Sequence, residues 1–275
     1  MAETRRRDNR VNRAAVNQAA ARQGRDSHPP ANRFRSEVKN PPPRSDSLVK
    51  VSDISVRRVN YGYFIRPAEE TGTGTPRVEP TLGYVVTHPT AGVILVDTGM
   101  GGNAEVDAWY QPTRIPLAAA LKSAGTDMTE VRAVMNCHLH FDHCGGNPEL
   151  AGVPIFAQRS ELALARAPES HTLPELVDHP GAQIEELTGE AEIAPDVFIV
   201  PTPGHTAGHQ SLVARRHDGT VIVAGQSHDN ATLFTSDVLG HHAGVGEQPP
   251  WLNRLLALDP KQILFAHDNA VWTPS

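Results

Sequence analysis

A chain of 275 residues and 29.7 kDa, 39% hydrophobic, is long enough for one large domain or two small ones around a real core. Its net charge of −6 is unevenly placed: residues 1–50 carry twelve Lys and Arg against five Asp and Glu, a balance of +7 that leaves −13 for the remainder. No apolar run is long enough to cross a bilayer or form a signal-peptide core, which excludes an integral membrane protein and makes the cytoplasm the expected location.

Residues 1–47 read as a tail. They hold Arg5-Arg6-Arg7 and Pro41-Pro42-Pro43, with too few large apolar side chains to offset the entropy of ordering them, so disorder is expected, with a transient helix over 11–23. Arginines without interleaved aromatics predict a solvated segment rather than a nucleic-acid surface. Residues 48–275 form the expected folded domain. Residues 49–57 and 61–66 alternate as strands, 69–80 read as a Gly- and Thr-rich loop, and 81–87 pair with 93–97. Pro116 opens a helix to Ser123, and 131–137 is a buried strand. Ser160 is the expected N-cap of a helix over 161–166, and 171–189 is irregular, shaping a substrate entrance, with His171 and His179 on the surface. Residues 197–201 form a strand, 211–216 and 220–224 a hairpin about Asp218-Gly219, 249–258 a helix and 262–266 a final strand.

Chemistry concentrates in one stretch, Asn136-Cys137-His138-Leu139-His140-Phe141-Asp142-His143-Cys144-Gly145-Gly146. Imidazoles at i and i+2 point roughly 200° apart in a helix but converge in a sharply turned segment, so His138 and His140 belong at a strand end. Asp142 and His143 follow at once and offer a carboxylate and a third imidazole to a second ion nearby. Four such side chains in six positions fit zinc better than a salt-bridge cluster. The two cysteines, Cys137 and Cys144, are expected to be reduced and packed.

This block resembles the metal-binding motif of the metallo-β-lactamase superfamily, and its flanks are most similar to the N-acyl-homoserine-lactone lactonase, or quorum-quenching, branch. The resemblance spans roughly residues 49–272 and continues in the family's order through Thr202-Pro203-Gly204-His205-Thr206-Ala207-Gly208-His209-Gln210-Ser211, Ala224-Gly225-Gln226 and Phe265-Ala266-His267-Asp268. It implies an α/β fold of four layers, the αβ/βα sandwich, where periodicity alone gives only α/β. It implies two zinc ions: one held by His138, His140 and His205 with the fourth position left to water, the other by Asp142, His143 and His267. His209 is read as structural. Asp97-Thr98-Gly99 matches the family's Asp-x-Gly element, which places Asp97 behind a metal-bound imidazole, although a plain turn aspartate fits the same spacing.

One position departs from the pattern. The family's lactonases carry an aspartate that bridges both ions where this chain has Gln226, and often a substrate-contacting tyrosine where it has Asp229. With the negative bridge lost, the second ion is expected to be bound more weakly; the alternative is that Gln226 coordinates well enough through its amide oxygen, or that Asp229 reaches in as the substitute, so that the site is complete. The implied activity is zinc-dependent opening of a small-molecule lactone of the N-acyl homoserine type. Zinc lowers the pKa of water towards about 7 and polarises the carbonyl, with Asp142 or Asp229 as proton shuttle. Neither membrane nor nucleic acid is an expected partner, and nothing in the sequence specifies an oligomer. A glyoxalase II-type thioesterase, a nuclease and a catalytically degenerate metal-bound scaffold are the rival readings.

Overall fold

The structure, a computed structural model, describes residues 53–167 and 170–274. The basic segment 1–47, with its expected disorder and its 11–23 helix, lies outside the described residues.

The chain begins with a long antiparallel pair. β1 (Ser55–Arg66) runs against β2 (Arg77–His88), with a register shift between Asn60 and Tyr63. That irregularity is why the sequence reads as two short strands here: Gly62 takes a left-handed φ of +105°, and a Cβ there would collide with the carbonyl of Thr113 on the neighbouring strand. The loop expected over 69–80 ends early, because Arg77 to Pro80 already belong to β2. Glu79 is buried there and takes an ion pair from Arg66, a tertiary contact that local polarity hides.

β3 (Gly92–Val96) completes the hairpin with β2, and α1 (Ala104–Tyr110) follows, capped by the Asn103 side chain accepting from the amides of Glu105 and Val106. β4 (Thr113–Arg114) and α2 (Leu117–Ser123) come next, and β5 (Val131–Met135) stops two residues short of its expected end. β6 (Pro154–Gln158), α3 (Arg159–Ala165), α4 (Pro174–Val177) and β7 (Gln183–Leu187) close this half. Ser160 is not the cap of α3. Gln158 occupies that position without a side-chain bond to the helix amides, and the Ser160 hydroxyl donates to the carbonyl of Ala207 at 3.3 Å. β7 hides in the stretch expected to be irregular, because an edge strand reading Gln-Ile-Glu-Glu-Leu has little apolar alternation.

The second half contains β8 (Ala191–Ala194), β9 (Val197–Pro201), β10 (Gln210–Arg216), β11 (Gly219–Gly225), α5 (Ala231–Ala243), α6 (Leu252–Leu256) and β12 (Pro260–Phe265). α5 escapes sequence reading because Phe234 and Val238 are its only buried side chains, too narrow a stripe to stand out.

Two sheets result, seven strands in the order β4-β1-β2-β3-β5-β6-β7 and five in the order β12-β11-β10-β9-β8. Tyr84, Val86, Ile94 and Met135 of the first meet Ile199, Leu212, Val223 and Leu264 of the second in the central core. The outer face of the first sheet packs on Leu117 and Leu121 of α2, and that of the second on Phe234, Val238 and Leu255 of α5 and α6. The layers are therefore helix, sheet, sheet, helix, as the resemblance implies. Among the described residues no helix is long and apolar enough to cross a membrane.

Candidate metal centre

Every strand that delivers a candidate ligand ends within a few residues of it. β5 leads into His138, β9 into His205, β11 into Gln226 and β12 into His267. Backbone bonds tie these ends together, from Asp97 to Met135 at 3.0 Å, Gln210 to Cys137 at 2.8 Å and Leu82 to Ala266 at 2.9 Å. The motif loop is fixed separately. The Thr98 amide and the Asn136 side chain both donate to the carbonyl of His143, at 2.8 and 2.9 Å, and Gly145 donates to Gly99. A Cβ on Gly145 would strike the backbone of Met100 and Gly101, so the loop lies flush against the end of β3.

The ligand candidates fall into two adjacent sets. In the first, one nitrogen from each of His138, His140 and His205 lies within 4.8 Å of the others, and His140 Nδ1 sits 3.2 Å from His205 Nε2. That spacing fits the edge of a zinc tetrahedron, about 3.3 Å for Zn–N bonds of about 2.05 Å. His138 Nε2 is buried and has no hydrogen-bond partner, a cost that an ion in the set would remove.

In the second set, His143 Nε2 lies 3.3 Å from Asp142 Oδ2, 3.2 Å from His267 Nε2 and 3.2 Å from Gln226 Oε1. The outer nitrogens have fixed partners. His143 Nδ1 donates to Asp97 Oδ2 at 2.9 Å and His267 Nδ1 to the carbonyl of Pro80 at 2.9 Å, which orients both rings with Nε2 inward. Asp97 thus stands where the resemblance places it, behind an imidazole, and holds a left-handed φ of +59° to do so.

Electrostatics agree with this geometry. Burial, reinforced by the neighbouring histidines, lowers His140 to about 3 and His205 to about 4, so both rings are neutral, as metal ligation requires. Burial opposes the charge on Asp142, yet His143 and His267 outweigh it and hold the carboxyl well below the usual range. Burial likewise opposes a charge on His143, but the carboxylates of Asp142 and Asp97 outweigh it and raise that imidazole well above its usual range. A cation is favoured where its Nε2 faces Asp142 and Gln226, the place a metal ion would take.

The remaining candidates separate. Asp229 does not join the imidazoles: its carboxylate pairs with Arg77 at 2.9 Å and accepts weakly from the Gln226 amide at 3.5 Å. Gln226, not Asp229, faces the second set. His209 is structural in its contacts, donating from Nδ1 to the carbonyl of Thr202 and accepting the backbone N–H of Gln226 at Nε2. His179 is buried rather than on the surface, and His171 is exposed but lies beside the site, its ring 5.4 Å from His140.

Sequence reading missed Glu161. Its buried carboxylate accepts from the Leu139 amide at 2.8 Å and the Thr206 hydroxyl at 2.6 Å, joining the motif loop to the His205 turn. Burial raises its pKa against the hydrogen bonds that favour the charge. Nothing in the sequence separates it from other glutamates in a first helical turn. Beside both sets opens a cleft of about 270 Å³, lined by Arg66, Glu70 and His171 and by an apolar wall. The wall is Phe64, Tyr110 and Phe141, with ring centroids 4.8 to 6.2 Å apart.

Fold and site together define an αβ/βα sandwich with two sets of metal-competent side chains at its strand ends. Residues 76–267 match the Metallo-beta-lactamase superfamily, and the chain belongs to it. Among curated relatives, an N-acyl homoserine lactonase of Bacillus sp is 35% identical over 135 residues, covering 44% of this chain and 53% of that one. AiiA of Bacillus thuringiensis subsp. kurstaki is 33% identical over 146 residues, 48% of this chain and 58% of its own. AttM of Agrobacterium fabrum is 28% identical over 166 residues, 52% and 63%. The chain therefore spans little more than half the length of the curated relatives it matches. Two solved structures superpose with TM-scores of 0.63, each covering 78% of this chain and 93% of the other: a B. thuringiensis AiiA mutant with N-decanoyl-L-homoserine bound at its active site, 25% identical, and an N-acyl homoserine lactone hydrolase with N-hexanoyl-L-homoserine at its catalytic metal centre, 26% identical.

Proposed function

We propose that this chain is a zinc-dependent hydrolase that opens the ring of lactones, N-acyl homoserine lactones foremost. The observation that carries the reading is the convergence of six side chains into two neighbouring sets beside one partly apolar cleft. His138, His140 and His205 hold one ion; Asp142, His143 and His267, with the amide oxygen of Gln226, hold the other. Bound zinc supplies a nucleophile at neutral pH and a Lewis acid for the lactone carbonyl. The protein residues do the rest. Phe64, Tyr110 and Phe141 offer the acyl chain a surface away from water, in line with the acyl-homoserine products seen in two structural relatives. Asp142 lines the cleft beside the second ligand set, is ionised, and is the candidate for proton transfer. Asp229 acts through Gln226, whose amide it faces, and is a positioning residue rather than the shuttle.

The two cysteines are free and buried, which suits a reducing compartment, and we place the enzyme in the cytoplasm. Catalysis is expected not to need the segment 1–47.

The test is zinc content together with turnover of a substrate panel. The protein as purified is expected to contain zinc, to open acyl-homoserine lactones faster than glutathione thioesters or nucleic acids, to lose this on chelation and to regain it with zinc. Unchanged turnover after verified metal removal overturns the mechanism, preference for a thioester moves the assignment to the glyoxalase II type, and a zinc-loaded protein inert on every substrate is a degenerate scaffold.

A further inference from the structure

Cys137, in the motif loop, is left without a role by the proposed function, and it is fully buried. Its thiol is wedged in place: Gly225, at the end of β11, has a φ of +56°, and a Cβ there would run into Cys137 Cβ and Sγ. Three groups surround the sulfur, Asp97 Oδ2 at 3.1 Å, His138 Nδ1 at 3.2 Å and His143 Nδ1 at 3.3 Å.

The protons in this cluster can be assigned. Asp97 is the common acceptor: its oxygens take the Cys137 amide at 2.8 Å, His143 Nδ1–H at 2.9 Å and the Cys137 S–H. The His143 proton is thereby committed to the carboxylate, and its contact with sulfur is secondary. With its own hydrogen given to Asp97, the sulfur has only lone pairs for His138, and so it accepts His138 Nδ1–H. That tautomer leaves His138 Nε2 bare, and Nε2 is the buried nitrogen without a partner in the first set.

We propose that Cys137 is a positioning residue for the metal centre, its thiol accepting from His138 and donating to Asp97 so that one carboxylate anchors a histidine of each set. The proposal rests on the reading of His138 and His143 as ligands. Without the thiol, His138 loses the contact that selects its tautomer and ring orientation, whereas His143 keeps Asp97 directly. The effect is therefore specific to the three-histidine ion. Two other roles fit a buried cysteine. As a small apolar filler it would be replaced equally well by Ala or Val. As a thiolate ligand it would join His138 and His209, whose donor atoms also lie within 4.8 Å of it, but the sulfur sits on the Nδ1 side of His138, away from His140 and His205.

The experiment compares the full chain with Cys137→Ser, Cys137→Ala and Cys137→Val, measuring zinc per chain and zinc affinity by competition with a chromophoric chelator. A hydroxyl both donates and accepts, so Cys137→Ser is expected to stay close to wild type at the tighter site, while Ala and Val each weaken it about 10- to 100-fold, the usual cost of losing an outer partner of a ligating histidine. Equal affinities, or Val matching or exceeding Ser, overturn the proposal in favour of packing. Cobalt-loaded wild type should show no sulfur-to-metal charge-transfer band; a band that Cys137→Ser abolishes makes Cys137 a ligand and overturns it too. Imidazole nitrogen NMR of the zinc-loaded wild type needs no variant and is expected to find the His138 proton on Nδ1; a proton on Nε2 overturns the proposal even if a variant fails to fold. Wild type that binds no zinc overturns the two-site reading as well, whereas wild type with two ions and indifferent variants overturns this proposal alone.

Discussion

Gln226 has its amide oxygen 3.2 Å from His143 Nε2 and its amide nitrogen towards Asp229, so the side chain presents an oxygen to the second set without presenting a charge. A neutral amide compensates a divalent ion less than a carboxylate does, and the carboxylate beside that amide, Asp229, is partly spent on Arg77. Unequal sites are the expected result, with zinc tight in the three-histidine set and weaker beside Asp142. Gln226→Asp should tighten the weaker ion by about tenfold or more, on the scale of other changes around metal ligands. A titration in which wild type already binds two ions equally, and the substitution strengthens neither, would rule this out. A second expectation at this scale concerns pH. His140 titrates at about 3 in the folded protein against about 6.5 for a free imidazole. Its folded pKa is depressed, so the stability it contributes to the metal-free protein is fully present above about pH 6.5 and is lost as pH falls towards 3. The melting temperature of the chelated protein should therefore drop between pH 7 and 4, and His140→Gln should remove part of that slope. A variant that retains the whole slope places the titration elsewhere.

Among the elements, α3 has a role its sequence does not announce. Its first turn carries Glu161 into the interior, where the carboxylate holds Leu139 on one side and Thr206 on the other. Gly208 lets the His205 turn approach, since a Cβ there would overlap the Glu161 backbone. The helix thus clamps two loops that together carry the first ligand set. Glu161→Ala leaves a buried amide and hydroxyl without partners and should cost about 3 kcal/mol, at about 1–3 kcal/mol for each unsatisfied group. Gly208→Ala forces α3 away from the turn and should cost about 1–3 kcal/mol as overpacking does, with zinc affinity falling in the three-histidine site more than in the other. Denaturant melts and metal titrations of both variants check this; loss of stability with both affinities unchanged would make α3 a support of the fold alone. Strands marked by a short apolar run or by a hairpin turn, such as β9 and β10, are legible from sequence because those signals are local. β7 and α5 are not, because one is a polar edge and the other buries only two side chains, and in each case a neighbouring element supplies the order.

For the molecule as a whole, the family match begins at residue 76 and the described fold at Asp53, while the excess of positive charge lies in residues 1–50. Deleting residues 1–45 should leave the melting temperature and lactone turnover nearly unchanged, because a segment so poor in apolar side chains contributes little to a core. A large fall in either would make the tail part of the domain or of its site. What the sequence by itself determined is the chemistry on offer: His138, His140, Asp142 and His143 lie so close in the chain that any turn brings them together, and the ordered motifs around His205 and His267 identify the superfamily. Only the tertiary structure decided which side chains meet across distance. It brings Asp97 to His143 and Cys137, and Glu161 to Leu139 and Thr206, and it turns Asp229 away to Arg77. The physical reason is that hydrogen bonds and burial depend on separation in space, and residues 20 or more positions apart acquire neighbours only when the two sheets close on each other.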